Sequence, residues 1–312
     1  MHKSPLYFPG GKARFWPKVR IPLVFSDSRQ RYVEPFWGGG GVGLNEMLDR
    51  RMQQFWLNDL DVGVFCFWQS LKDSPNALKA MIRAYRPKPE HFSYLKEYFA
   101  DGTLRPVDKA DIVRIGFFKF LIHQISYSGL GVKAGTVRGG SSQFHSAVDA
   151  RWAPERTCAQ IDCWSAVFAH SDVRVTNLDW SHVVSDESVP SFLYLDPPYY
   201  GCGQRLYQHS FADEDHHRLA KALKETRHLW ALSYNDCPKV RALYSWAAIS
   251  ELETRYAVCG FKRKKELLIA PDRRLLMHID SQTMKAGFQN GKHLPEVPLA
   301  LHERRTCGHP LC

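Results

Sequence analysis

The 312-residue sequence has no CxxC pair; its eight cysteines stand apart at 66, 158, 163, 202, 237, 259, 307 and 312. Such scatter supplies neither a disulfide framework nor the ligand spacing of a zinc knuckle, and it suits a reducing compartment. No apolar run approaches the roughly 18 residues that a membrane-spanning helix needs, which argues against an integral membrane protein. The opening MHKSPLYFPGGK lacks an apolar stretch of signal-peptide type, so a cytoplasmic location is expected. Internal repeats and low-complexity tracts are missing too. Acidic side chains are in deficit, 32 against 42 Lys and Arg, which leaves a formal charge of +10. A surplus of that size points to a polyanionic partner. With 44 % hydrophobic and 24 % charged residues, the chain is otherwise an ordinary globular one.

Strand-like and helix-like segments alternate at the start. Arg31–Glu34 reads as a strand, a glycine loop follows, and Leu44, Met47, Leu48 and Arg51 recur at helical spacing. Phe55–Leu57 is a second strand ending at Asn58-Asp59, and about 62–71 is helical again. This is the pattern of a parallel sheet with crossover helices. From 73 to 168 the character changes, with four prolines up to Pro106, an apolar helix over 112–122, a glycine- and serine-rich stretch, and helical patterning near 160–168. This region is read as an insertion. The alternation resumes with strands at 173–175, 192–195, 229–232, 247–251 and 267–269. Ser210–Asp213 resembles a capping box opening a helix to about Thr226. Adjacent His216 and His217 on that helix face different sides and share no metal. The expected division is therefore a catalytic domain over 1–72 and 169–276, an insertion over 73–168, and an extension over 277–312.

Two stretches carry chemistry. In Glu34-Pro35-Phe36-Trp37-Gly38-Gly39-Gly40-Gly41-Val42-Gly43, glycines follow a strand and precede a helix, where they allow a tight turn and close approach to the backbone. Asp59 ends the next strand, where an acid commonly accepts hydrogen bonds from ribose hydroxyls. A glycine-rich surface turn with an unrelated aspartate is the alternative. The second stretch, Asp196-Pro197-Pro198-Tyr199, closes an apolar strand. Chance produces this tetrapeptide in about 0.2 % of chains of this length. Both prolines fix φ and lack an N–H, so the turn is rigid and its carbonyls are free to accept. The Asp196 carboxylate and the Pro197 carbonyl can together take both hydrogens of a planar exocyclic amine. Tyr199 offers an aromatic face to a nucleobase.

These stretches, in this order, resemble the Dam-like class of adenine-specific DNA methyltransferases. Ser4–Lys12 is similar to the N-terminal motif of that class, with Pro9 where alanine is usual. Glu34–Gly40 resembles its cofactor loop, Asn58-Asp59 its ribose-binding turn, Asn177–Trp180 its cofactor-adenine turn and Asp196–Tyr199 its catalytic motif. Leu232–Asp236 and Lys265–Ile269 resemble its later strands. The resemblance covers about 1–270. Within the insertion, Ile122–Gly129 resembles a stretch that often carries Asn-Arg where His123-Gln124 stand here.

The resemblance implies an α/β fold, a Rossmann-like S-adenosylmethionine-dependent methyltransferase sheet with an inserted helical and loop DNA-recognition domain. It implies transfer of a methyl group from S-adenosylmethionine to the N6 amine of adenine in double-stranded DNA, by direct in-line attack from a flipped-out base. Asp196, Pro197, Pro198 and Tyr199 are the implied catalytic set. Tyr7, Gly11, Lys12, Glu34, Phe36, Gly38, Gly40, Asp59, Asp179 and Asp196 are the implied cofactor-binding set. Lys12 and Tyr7 are expected to hold the methionine end, Asp59 the ribose and Asp179 the adenine. In the glycine-rich part of the insertion, Ser128, Lys133 and Arg138 are the candidate DNA contacts, with Ser142 in the same loop. No metal ligand set is expected. Methylation of cytosine N4 or of an RNA base, and a catalytically silent DNA-binding relative, are the competing readings.

Overall fold

The computed structural model describes residues 4–8, 10–13, 16, 30–49, 51–138, 148–201, 209–255 and 263–276. The extension at 277–312, Ser142, and the Cys307–Cys312 run lie outside them. The chain runs β1 (Arg31–Glu34), α1 (Gly43–Asp49), β2 (Gln54–Asn58), α2 (Val62–Asp73), then four inserted helices. These are α3 (Pro75–Ala84), α4 (Glu90–Ala100), α5 (Lys109–Ile125) and α6 (Pro154–Ala169). The chain then continues through β3 (Asp172–Thr176), α7 (Trp180–Val184), β4 (Ser191–Leu195), α8 (Asp213–Glu225), β5 (Leu229–Asn235), α9 (Pro238–Leu243), β6 (Ala248–Arg255) and β7 (Arg263–Ala270).

The seven strands lie in the order β3-β2-β1-β4-β5-β7-β6. Strands β1 to β5 are parallel, and β7 runs antiparallel to both of its neighbours, β5 and β6. Val33 at the centre sits opposite Trp56 on β2 and Leu193 on β4. The strand order reverses between β1 and β4. In an open parallel sheet, that reversal opens a crevice beyond the strands' carboxyl ends. Both the glycine loop after β1 and the Asp196 turn after β4 emerge there.

Side chains of a strand alternate between faces, and the core divides accordingly. Val33, Trp56, Leu193, Leu195 and Trp230 fill one side with α7, α8 and α9. Tyr32, Phe55, Leu57 and Phe192 fill the other, in one apolar cluster with Phe99, Phe117, Phe120 and Trp164 from the inserted helices. The insertion therefore packs directly on the sheet. Helix α5 lies so close against α2 that a Cβ at Gly116 would stand 2.7 Å from the Cys66 backbone.

Three local readings change. The proline-bearing stretch after 73 holds two helices, α3 and α4; Pro75 occupies the first turn of α3, where its missing N–H loses no bond. The capping box does not form at Ser210. Ala212 is the N-cap residue, and only the returning half is made, with Asp215 accepting the Ala212 N–H at 3.0 Å. Strand β6 runs on to Arg255, because it pairs with β7 along its whole length. His216 is buried and bonded to Tyr234 Oη, while His217 is exposed. No described helix is long and apolar enough to cross a membrane.

Candidate active site

The carboxyl ends of β1, β2 and β3 are laced together by Asn58. Its Nδ2 donates to Pro35 O (3.1 Å) and Leu178 O (3.0 Å), and its Oδ1 accepts from Thr176 Oγ1 (2.8 Å) and Leu178 N (2.9 Å). This amide fixes the turns bearing Glu34, Asp59 and Asp179 relative to one another.

Asp59 anchors the glycine loop directly. Its Oδ2 accepts from Gly38 N at 2.7 Å and its Oδ1 from Asp61 N at 2.9 Å. Burial, reinforced by the Asp61 charge, pushes its pKa up to about 7. Gly38 and Gly40 hold positive φ. At Gly41 the demand is different, since an added Cβ would lie 2.7 Å from Ala13 N. The chain's own N-terminal segment thus needs this glycine, as well as any ligand.

The cleft over these turns is lined by Gly11, Lys12, Glu34, Phe36, Gly38, Gly40, Asp59, Asp179, Asp196 and Pro198 among the expected residues. Glu34 is buried, accepts from Tyr32 Oη at 2.5 Å, and is raised well above the usual carboxylate range by burial. Asp179 caps α7, accepting from Ser181 N at 2.9 Å and Ser181 Oγ at 2.5 Å. Burial opposes its ionisation, but these bonds leave its pKa lowered. Beside it, Phe36, Trp180 and Phe211 form an aromatic corner, with Phe36 and Phe211 edge to face at 5.6 Å.

Across the cleft stands Asp196. Lys12, itself buried, places Nζ 3.2 Å from Asp196 Oδ2, 3.9 Å from Glu266 Oε1 and 4.8 Å above the Tyr199 ring. Asp196 Oδ1 is shut off from solvent and has no hydrogen-bond partner among the described residues. Burial raises the Asp196 pKa, and the Lys12 ammonium and the Tyr199 hydroxyl beside the carboxyl oppose the rise. Asn235, at the end of β5, clamps the following turn by exchanging two bonds with the Tyr200 backbone, at 3.1 and 3.2 Å.

Pro197 is buried, and Tyr199 packs against Tyr234 at 5.9 Å; neither is part of the cleft's lining. Tyr7 also stands outside it, exposed, under the Arg151 guanidinium. Ser128, Lys133 and Arg138 lie on the segment after α5 and are not lining residues, although Leu130 and Val132 of the same segment are; Lys133 is exposed.

Sequence reasoning missed Phe8, Trp180 and Phe211, and above all Lys119 and His123 of α5, which line the cleft. Lys119 is buried in an ion pair with Asp61, the residue that caps α2. His123 has Nδ1 2.7 Å from Gly129 O. A carbonyl only accepts, so Nδ1 carries the proton; burial, with the Lys119 charge, lowers the pKa to about 3 and keeps the ring neutral. Its Nε2 is then an acceptor, buried and without a hydrogen-bond partner. A lysine inside the apolar run 112–122 is the signal that marks this helix as more than core.

Residues 8–258 match the model of the D12 class N6 adenine-specific DNA methyltransferases. The chain is also 20 % identical over 254 residues to the type II methyltransferase M1.LlaDCHI of Lactococcus lactis subsp. cremoris, covering 78 % of this chain and 85 % of that protein. The family match selects adenine N6 in DNA over cytosine N4 and RNA, and catalysis over silent binding, and it brings with it a methyl donor. The sheet order, the cleft at its reversal and the Asp196 turn agree with that match over most of the sequence: the chain belongs to the D12 class of N6 adenine-specific DNA methyltransferases.

Proposed function

We propose that the protein methylates the N6 amine of an adenine rotated out of double-stranded DNA, using S-adenosylmethionine held in the cleft described above. The observation that carries this reading is the Asp196 carboxyl, buried in the lining of a cleft floored by an anchored glycine loop, with Oδ1 left without a well-formed hydrogen bond among the described residues. Such an acceptor is unfavourable unless a ligand completes it.

The residues fit the donor. The aromatic corner of Phe36, Trp180 and Phe211 suits a flat purine, with Asp179 at its edge. Asp59 has lone pairs left for ribose hydroxyls after its two backbone bonds. His123 Nε2 presents a second open acceptor. S-adenosylmethionine supplies an electrophilic sulfonium methyl group when bound.

The amine of adenine is a poor nucleophile because its lone pair is delocalised into the ring. Asp196 Oδ1 accepts a hydrogen bond from that amine and favours a pyramidal nitrogen with a localised lone pair. The same carboxylate stabilises the positive charge that develops on nitrogen, and the rigid Pro197-Pro198 turn holds it in place without reorganisation. Lys12 favours the ionised form of Asp196 against the effect of burial and aims its carboxylate. A base inside a duplex cannot reach this carboxylate, so it must be rotated out. The helices and loops of 73–168 serve as the target-recognition part, with Lys133 on the DNA side. Incubation with methyl-labelled S-adenosylmethionine and duplex DNA, followed by digestion to nucleosides, tests the reading. Label in N6-methyldeoxyadenosine is expected, and its absence contradicts the proposal.

A further inference from the structure

Beside the cleft, Arg138 and Arg151 lie close enough to repel each other, and among the described residues neither pairs with a carboxylate. After α5 the chain doubles back: Ser126 and Val137 form an antiparallel bridge, Tyr127 N donates to Thr136 O, and Arg138 N donates to Ile125 O at 2.7 Å. Arg138 is thereby held at the carboxyl end of α5. Arg151, just before α6, places its guanidinium 4.4 Å from the centre of the Tyr7 ring. Tyr7 in turn presses on Gly129, where a Cβ would fall 2.0 Å from the ring. Gly129 is the residue whose carbonyl holds His123 of the cleft. Tyr7 and Gly129 thus stand between Arg151 and His123 of the cleft wall.

Neither guanidinium makes an ion pair among the described residues, and each has an Nη1 shut off from solvent with no acceptor. Burial, then the Arg151 charge, lowers the Arg138 pKa, as two cations without an anion between them require. Donors left in this state are unfavourable until a ligand supplies acceptors. The forked geometry of arginine matches the paired oxygens of a phosphodiester.

We infer that Arg138 and Arg151, braced by Tyr7, grip one backbone phosphate of the DNA beside the adenine that enters the cleft. This rests on the cleft being the place where the DNA base is methylated. It also gives Tyr7 a role on the DNA side in place of the methionine end of the donor.

A fluorescent duplex oligonucleotide, titrated across a salt series, tests the clamp. For the double variant Arg138→Gln/Arg151→Gln, the slope of log affinity against log salt is expected to become shallower by about 0.9, the release from one phosphate. Arg151→Lys keeps the charge but loses the fork, so it weakens binding at every salt with the slope unchanged. Donor affinity and thermal midpoint serve as controls and are expected to match the wild type. A wild-type slope in the folded double variant overturns the inference. Should the double variant not fold, wild-type duplex affinity in both Arg151→Lys and Tyr7→Ala overturns it instead. Wild-type protein that binds duplex with this arginine-dependent slope, yet transfers no methyl group, leaves the clamp and removes the catalytic reading. Active wild-type protein whose double variant keeps the slope does the reverse.

Discussion

Lys12 Nζ stands 3.2 Å from Asp196 Oδ2, and this contact joins the N-terminal glycine-lysine motif to the Asp-Pro-Pro-Tyr turn 184 residues later. Lys12 lines the cleft where the methionine end of the donor is expected. Its place between Asp196 and Glu266 adds a proposed role on the Asp196 carboxylate. Burial alone would favour the protonated acid, a weaker acceptor with no charge to set against the positive charge that develops on nitrogen.

Lys12→Met is therefore expected to move the acidic limb of the pH–rate profile to higher pH. Asp196 works ionised and activity is lost as pH falls through its pKa, so removing the neighbouring cation raises that pKa and shifts the limb upward. Single-turnover rates across pH check this. A limb unmoved from the wild type would leave Lys12 without influence on Asp196.

Asp59 carries a conflict between function and stability. Its pKa is raised from 3.8 to about 7 by burial, so the folded protein binds this proton more tightly than the unfolded chain. Its contribution to stability is full below about 4 and is lost as pH rises towards 7 and beyond, by up to about 4 kcal/mol. Asp59→Asn is expected to flatten the fall in thermal midpoint between mildly acid and mildly alkaline pH. The same variant should weaken donor binding in calorimetry, since an amide offers fewer acceptors to the ribose. Parallel stability curves for variant and wild type would contradict the assignment.

The Lys119–Asp61 pair ties the inserted helix α5 to the start of α2. Both side chains are buried, so Lys119→Met leaves Asp61 ionised without its counter-charge, a loss of about 3–5 kcal/mol. Adding Asp61→Asn should recover much of it, because the amide oxygen still caps α2 through the Gly63 and Val64 N–H groups. Denaturant midpoints of the two variants check the pair. An equal loss in both would assign the effect to packing of the lysine stem.

The parallel strands were legible because each is a short apolar run ended by turn residues, as at Phe55–Asp59 and Phe192–Asp196. Asp59 and Asp196 were legible for the same reason, each standing at the end of a strand where an open sheet exposes its ligands, whereas Glu34 and Asp179 were reached through the family resemblance. The inserted helices were harder. The stretch with prolines at 75, 87 and 89 showed no helix bounds, although Pro75 starts a helix and Pro89 precedes one. Lys119 and His123 were hidden because α5 is apolar almost all round, and helical spacing does not say which turn faces Asp61, 58 residues away in sequence. Arg151 carried no signal, since its meaning comes from Tyr7 and Arg138, distant in the chain.

Methyl transfer to duplex DNA by Asp196→Ala, measured alongside donor affinity, decides whether this carboxylate is catalytic. In the proposed function Asp196 acts on the adenine amine, while Asp59, Asp179 and the glycine loop hold the donor. A rate lowered by about 100- to 1000-fold with donor affinity essentially unchanged is expected. Turnover close to that of the wild type would contradict it.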